Sequence, residues 1–393
     1  MRTTGLIILR EWKRILTIPA HYLVLLLVPP LLFFFYAFIY QAQEARHLPI
    51  AIWDEDHSSV SRQFTFLLSQ SETIQLTVSV SSEDELQAMI KQGKILGAVH
   101  FPKDMEMDIK TRHPVYVTLY TNAASMVPAK LIYKAAAQVI MTAGSGVILQ
   151  KLVKKGMPAD KAMALVQPIR LNTYILYNPT YNYQEYLVPG LITVGLQMII
   201  IMVGVLLLNY EWTTGTMEEL CRLSQGSASS VIFGKAMAHL VVAWVNFVLV
   251  AGIIFPVFGI GVTTATGKFF LLYTLLVLAC LGIGFFVSAL FKDTMLASDI
   301  ALFYTSPAFV FSGFTFPRWA MPWYDQYYAN IMPYTAFLDG FFKIYYMNLP
   351  LRYAAAEAGK LGLFIGITFV LAIILFQRQL NKVALGQLKY NQA

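Results

Sequence analysis

The stretch Leu187–Leu220, LVPGLITVGLQMIIIMVGVLLLNYEWTTGTMEEL, decides the fold. From Leu187 to Tyr210 it carries no charge. A helix needs about 20 largely apolar residues to cross a bilayer, so this run reads as a membrane span. Three carboxylates follow at once, Glu211, Glu218 and Glu219, and mark where the chain leaves the oily phase. Gly215-Thr216 reads as a turn into a short helix whose first-turn acids suit the helix dipole.

Working outward, composition agrees. The chain has 393 residues, 57% hydrophobic and 13% charged, where a soluble protein carries about 25% charged residues. Further long apolar windows are Ala20–Tyr40, a stretch within Ala236–Thr266, Phe269–Phe291, Met295–Phe316, and one centred on Leu361–Gln377 that is short unless it extends back past Lys360. Pro29 and Pro30 lie mid-span in the first, a kink tolerated where neighbouring helices satisfy the freed carbonyls. Ala20–Tyr40 is too long for a signal-peptide core, so it reads as a retained span. The expected fold is a polytopic α-helical membrane protein with six transmembrane helices and an α/β extracytoplasmic domain inserted between helices 1 and 2.

Lys and Arg in the short flanks set the orientation. Arg2, Arg10, Lys13 and Arg14 precede the first span, and Arg378, Lys382 and Lys389 follow the last, so both termini are expected in the cytoplasm. The expected division is 1–19, a cytoplasmic interfacial helix; 20–40, the first span; 41–186, the extracytoplasmic domain; 187–377, spans two to six; and 378–393, a cytoplasmic tail. Within the fourth part, 211–235 is a cytoplasmic loop and 317–357 an external segment. The net charge of +7 is spread along the chain, without aromatic-basic alternation, so it reads as topology and lipid contact rather than nucleic-acid binding. In 1–19, Leu6, Leu9, Lys13 and Leu16 share a helical register beside basic residues, the pattern of a helix lying in the inner leaflet.

Segment 41–186 reads as α/β. Strands are expected at Pro49–Trp53, Ile74–Val80, Ile95–Phe101, Val115–Thr121 and Ile169–Tyr177, from their β-branched and aromatic content. Helices are expected over Ser58–Ser69, from Ser82 with Glu85 as a capping box, and over Val127–Lys154. Asp54-Glu55-Asp56-His57 sits between a strand and Ser58-Ser59, the composition of a solvated turn and helix cap rather than of a metal site.

Catalytic signals are weak. His47, His57, His100 and His113 lack paired zinc-ligand spacing, and Cys221 and Cys280 suggest neither a disulfide framework nor a metal site. Neither GxSxG nor GxxxxGK[ST] occurs: the Gly-Lys pairs at Lys94, Lys235, Lys268 and Lys360 lack the upstream Gly and the following Ser or Thr. The chain therefore carries no phosphate-binding loop of that type. Asp299, seven residues past Lys292, is the acid closest to a span's interior and a candidate intramembrane polar site.

The order of elements resembles the permease subunits of type-2 ABC exporters, in the bacterial branch with a large external domain. Three segments carry the resemblance. Pro49–Ser61 is similar to that branch's strand, acidic turn and helix start. Glu211, Gly215, Thr216, Glu218 and Leu220, with Gly234-Lys235 downstream, are similar to the family's cytoplasmic loop after the second span, although a Thr-Pro pair common in relatives is Ser224-Gln225 here. Ser312-Gly313-Phe314, Phe316-Pro317, Met321-Pro322 and Asn330–Leu338 match the family's signature around the fifth span.

The resemblance implies a non-catalytic subunit of an ATP-driven efflux transporter in the bacterial inner membrane. A separate ABC ATP-binding subunit would hold ATP and Mg, a second permease would complete the path, and a periplasmic adaptor is a further candidate partner. Coupling is expected at Glu211, Gly215, Thr216, Glu218, Glu219, Leu220 and Arg222. A re-entrant external rim is expected at Gly313, Pro317, Pro322, Asn330 and Pro333. Substrates are expected to be amphipathic, drug-like or lipid-like. Competing readings are a membrane-anchored sensor or envelope-assembly protein, and an ion-gradient-driven secondary transporter using Asp299.

Overall fold

The computed structural model describes residues 2–19, 23–41, 45–169, 173–174, 176–178, 182–259 and 265–384. Contacts divide the chain into two units, Met1–Gln43 with Tyr177–Ala393, and Glu44–Leu176.

Helix α1, Arg2–Thr17, buries Ile7, Glu11 and Ile15, one stripe at i, i+4 and i+8. Leu6, Leu9 and Leu16, the apolar register read from the sequence, lie on its exposed side. A π-helical turn, Leu23–Leu27, then leads into α2, Val28–Ile39. Proline explains the break: Pro29 and Pro30, four and five residues after Leu25, have no N–H to offer its carbonyl. Asn246 supplies the missing donor from another helix, its Nδ2 2.6 Å from that oxygen.

The inserted unit follows as β1 (Leu48–Asp54), α3 (Ser59–Ser69), β2 (Ile74–Ser79), α4 (Glu83–Lys91), β3 (Gly97–Phe101), α5 (Met105–Thr111), β4 (Thr118–Thr121), α6 (Met126–Lys154) and α7 (Ala159–Val166). The sheet order is β2-β1-β3-β4, with β1 parallel to both neighbours and β4 antiparallel to β3. Parallel neighbours need crossovers, which α3 and α4 provide. Phe64 and Leu68 of α3 and Ile132 and Ala136 of α6 pack with Ile50, Ile52 and Val99 of the sheet. Leu86 of α4 packs with Ala51, Ala98 and Val80.

The acidic turn is structural: Asp54 Oδ1 accepts from the Asp56 and His57 amides, and Oδ2 from Ser61 Oγ. The reciprocal capping box forms at Ser58–Ser61. At Ser82 only half of the expected box is present, because Glu85 accepts from the Ser81 amide instead. Of the expected strand Ile169–Tyr177, residues 170–172 and 175 lie outside the described residues, and the others are not in a strand. Helix α6 is long and apolar enough to count as a candidate span, yet its first half belongs to this unit's core.

The helical unit resumes with α8 (Tyr183–Thr213), α9 (Met217–Leu223), α10 (Ala228–Leu249), a π turn (Val250–Ile254), α11 (Phe255–Val257), α12 (Thr266–Leu290), α13 (Thr294–Thr305), α14 (Ala308–Phe311), α15 (Trp323–Asn330), α16 (Pro333–Phe341) and α17 (Ala355–Ala384). By length and apolarity, Gln184–Thr213, Ala228–Val257, Thr266–Leu290, Thr294–Phe311 and Leu351–Ala384 can each cross a membrane, and Leu23–Ile39 is a shorter apolar helix. The chain is a multi-pass membrane protein. The third expected window stops being helical at Val257, and its residues 260–264 lie outside the described ones. The fifth is not continuous to Phe316, since Ser306-Pro307 interrupts it and α14 ends at Phe311. The sixth does extend back past Lys360 and onward to Ala384, into the expected tail, of which 385–393 lie outside the described residues.

Helix α12 is the hub of this unit, packed against α8, α16 and α17. It meets α8 at two glycines: a Cβ on Gly284 would stand 2.6 Å from the Ile201 carbonyl oxygen and 2.7 Å from Gly204 Cα. Small residues let membrane helices approach this closely.

Candidate functional site

The end of α8, the start of α10 and one face of α1 converge on the Glu211 carboxylate. Glu211 is fully buried, and donors from four residues surround its carboxylate. Arg10 donates through Nη1 to Oε1 at 2.8 Å and through Nη2 to Oε2 at 3.0 Å. Arg14 donates to both oxygens as well, with Nη2 3.2 Å from Oε2. Lys235 Nζ lies 2.8 Å from Oε1, and Thr216 Oγ1 donates to Oε2 at 2.5 Å. Lys235, itself fully buried, also donates to Glu11 Oε1 at 2.6 Å.

Helix periodicity places these groups. Arg10 and Arg14 are one turn apart on α1, beside the Ile7–Glu11–Ile15 stripe that packs on α10. Close approach there depends on Gly234, where a Cβ would be 2.8 Å from Ile7 Cγ2. The neighbouring Lys235 then points into the same seam. Gly215, at φ +69, makes the left-handed turn that returns Thr216 to Glu211. The Arg14 guanidinium also lies 4.9 Å from the centroid of the Tyr210 ring.

A charge buried alone is costly, whereas one with opposite charges and hydrogen bonds is tolerated. For Glu11, burial alone would push the carboxyl up, but Lys235 and, behind it, His239 outweigh that and hold it below the usual carboxylate range. For Arg10, burial opposes the charge, while Glu211, Glu219 and Glu11 reverse the balance and raise its pKa. The arrangement fastens α1 to the ends of two membrane helices.

The residues singled out after α8 therefore fall into two sets. Glu211, Gly215 and Thr216 build the cluster and its turn. Helix α9 turns Met217 and Leu220 inward, packing against α1 and α17, and leaves Glu218, Glu219 and Arg222 exposed. Glu219 links the sets, with Arg10 Nε 3.3 Å from its Oε1. Gln377 of α17 clasps the following turn, accepting from the Ala228 amide and donating to the Gly226 carbonyl. Sequence reasoning treated Arg10 and Arg14 as topology signals and missed Glu11. The usable signal was an acid at the centre of the Ile7–Ile15 stripe and a lysine inside an apolar run, two charges that must find each other.

At the opposite end of the bundle, Gly313 lies in a turn, Pro317 precedes a 3-10 turn, Pro322 caps α15, Asn330 ends it exposed and Pro333 opens α16. Arg318 Nη2 reaches both carboxylate oxygens of Asp339 at 2.6 Å. Helix α16 buries Tyr334, Phe337 and Phe341, and Tyr334 donates to the Gly190 carbonyl at 2.8 Å. Trp319, Trp323 and Tyr327 stay exposed. Asp299 lies apart from both clusters, on an exposed face of α13. Among the described residues, no three His, Cys, Asp or Glu side chains converge as metal ligands. A small cavity of about 30 Å³ is lined by Pro29, Asn246 and Tyr273.

The family described as "ABC-2 family transporter protein" matches residues 21–374. The chain is 22% identical over 333 residues to the probable multidrug ABC transporter permease YbhS of Escherichia coli K12, covering 84% of this chain and 85% of YbhS. It is 24% identical over 296 residues to the probable multidrug ABC transporter permease YbhR of the same strain, covering 75% and 77%.

Proposed function

Because this chain belongs to the ABC-2 family of transporter proteins, we propose that it is the membrane-spanning permease of an ATP-driven exporter and couples to a separate ATP-binding subunit through α9. The observation that carries the reading is the two-sidedness of α9. Its outer face offers Glu218 and Arg222 to a partner, its inner face rests on α1 and α17, and the exposed Glu219 ties it to Glu211 through Arg10. A push on α9 is thereby delivered to three helices at once. ATP and Mg belong to the partner subunit, and a second permease, identical or paralogous, forms the other wall of the path.

In this reading the protein sits in the bacterial inner membrane with both termini in the cytoplasm. The α/β unit is extracytoplasmic, where it offers an adaptor a docking surface, and α15–α16 form a re-entrant rim over the exit. The substrate is amphipathic, drug-like or lipid-like, in keeping with the multidrug names of YbhS and YbhR. Charge reversal at Glu218→Lys with Glu219→Lys tests the coupling face. Transport and stimulation of ATP hydrolysis should be lost while the permease still inserts and folds; unchanged coupling would reject the assignment.

A further inference from the structure

Helix α13 has two dissimilar faces. Ala297, Ala301 and Thr305, at i, i+4 and i+8, are buried and pack against α8. The opposite side exposes Met295, Leu302 and Phe303, and in the middle of that bulky apolar surface stands Asp299. Its carboxylate has no ion pair and no hydrogen bond among the described residues. The deeply placed acids Glu211 and Glu357 differ, since each has a cation within 2.8 Å.

From its N-cap at Asp293, the helix carries Asp299 about 9 Å along its axis. A bare carboxylate facing hydrocarbon at that position is costly, and intramembrane acids face a protein interior or a water-filled cavity. Lipid is therefore the wrong neighbour for this face. Phe303, one turn further on the same side, presents an aromatic ring beside the acid. An anion and a ring at i, i+4 spacing suit a ligand with a positive centre and an apolar body.

We propose that the outer face of α13 lines the transport path and that Asp299 recognises cationic amphipathic substrates, the apolar body of the ligand lying against Phe303. The proposal rests on the exporter reading for the existence of a path, but its test needs neither nucleotide nor the ATP-binding subunit.

Tetraphenylphosphonium is the probe, and uncharged triphenylphosphine oxide its counterpart, titrated against the full chain in nanodiscs of neutral phosphatidylcholine. Asp299→Asn should weaken tetraphenylphosphonium binding about tenfold, the loss of one partly desolvated charge contact. Asp299→Glu should bind close to wild type, and the uncharged ligand should be indifferent to both substitutions. Equal affinity of wild type and Asp299→Asn for the cation overturns the proposal, as does an equal loss for both ligands or no binding of the cation to wild type. Any of these outcomes would leave the coupling assignment of α9 standing, because that assignment is decided by charge reversal at Glu218 and Glu219.

Discussion

Arg10 and Glu211 face each other in two parallel hydrogen bonds, 2.8 and 3.0 Å long, across 201 positions of chain. A planar guanidinium matches a carboxylate in this geometry, and a lysine could not. The pair fastens a helix that precedes the first span to the end of the second, with Lys235 closing the arrangement from the third.

Removing the hub charge should release α1. Glu211→Gln leaves Arg10, Arg14 and Lys235 around a neutral amide, and breaking a buried ion pair from one side costs about 3–5 kcal/mol. In a Cys221→Ser background, a cysteine at the buried position of Ile7 reports docking through maleimide labelling. Labelling should be slow with Glu211 intact and faster by orders of magnitude in Glu211→Gln. Equal rates would mean that apolar packing and the Glu11–Lys235 pair hold the helix without the Glu211 charge.

The same labelling assay should show an acid-side dependence. The Glu11 carboxyl is held below its ordinary value of 4.5 in the folded protein. Its contribution is therefore present above that ordinary value and lost as pH falls through the lower, folded one. Docking of α1 should be flat from about pH 6 to 8 and weaken only on acidification below about 4.5. Glu11→Gln should flatten part of the acid limb.

Gly284→Ala should be much more disruptive than its size suggests. The new methyl would sit 2.6 Å from the Ile201 carbonyl oxygen, a backbone atom that cannot swing aside. Overpacking of this kind costs about 1–3 kcal/mol. Gly195→Ala in α8, where no atom lies within 4 Å of the added carbon, is the control. Thermal unfolding in detergent should give a lower midpoint for the first and little change for the second.

The spans and most of the inserted unit were legible because their signals are local. Apolar run length identifies a bilayer crossing, and β-branched clusters bounded by turn residues identify strands. The cluster at Glu211 was half legible: Glu211 stands out behind Tyr210, but Glu11, Arg10, Arg14 and Lys235 are distant in sequence, and the cations look like topology signals one at a time. Asp54 read as a turn because its ligands, the Asp56 and His57 amides, lie within three residues. The break at Ser306-Pro307 was obscured by apolar residues on either side, which hydropathy cannot separate from a continuous span.

Two carbonyls freed by proline should show the same thermodynamic coupling. Pro189 lies inside α8 and offers no N–H to the carbonyl of Glu185; Tyr346 donates its hydroxyl to that oxygen instead. Pro29 and Pro30 leave the Leu25 carbonyl to Asn246 in the same way. In hydrocarbon an unsatisfied carbonyl has no water to turn to, so the borrowed donor replaces a backbone bond. Tyr346→Phe should cost about 1–3 kcal/mol by stranding the Glu185 oxygen. Pro189→Ala restores the intrahelical donor, so adding Tyr346→Phe to it should cost much less. A double-mutant cycle on unfolding free energy measures that difference, and Asn246→Leu with Pro29→Ala and Pro30→Ala repeats it at the first span. Strict additivity would mean that the tyrosine contributes by packing against Phe341 and Phe342, whose ring centroids lie 5.6 Å away, rather than by satisfying the carbonyl.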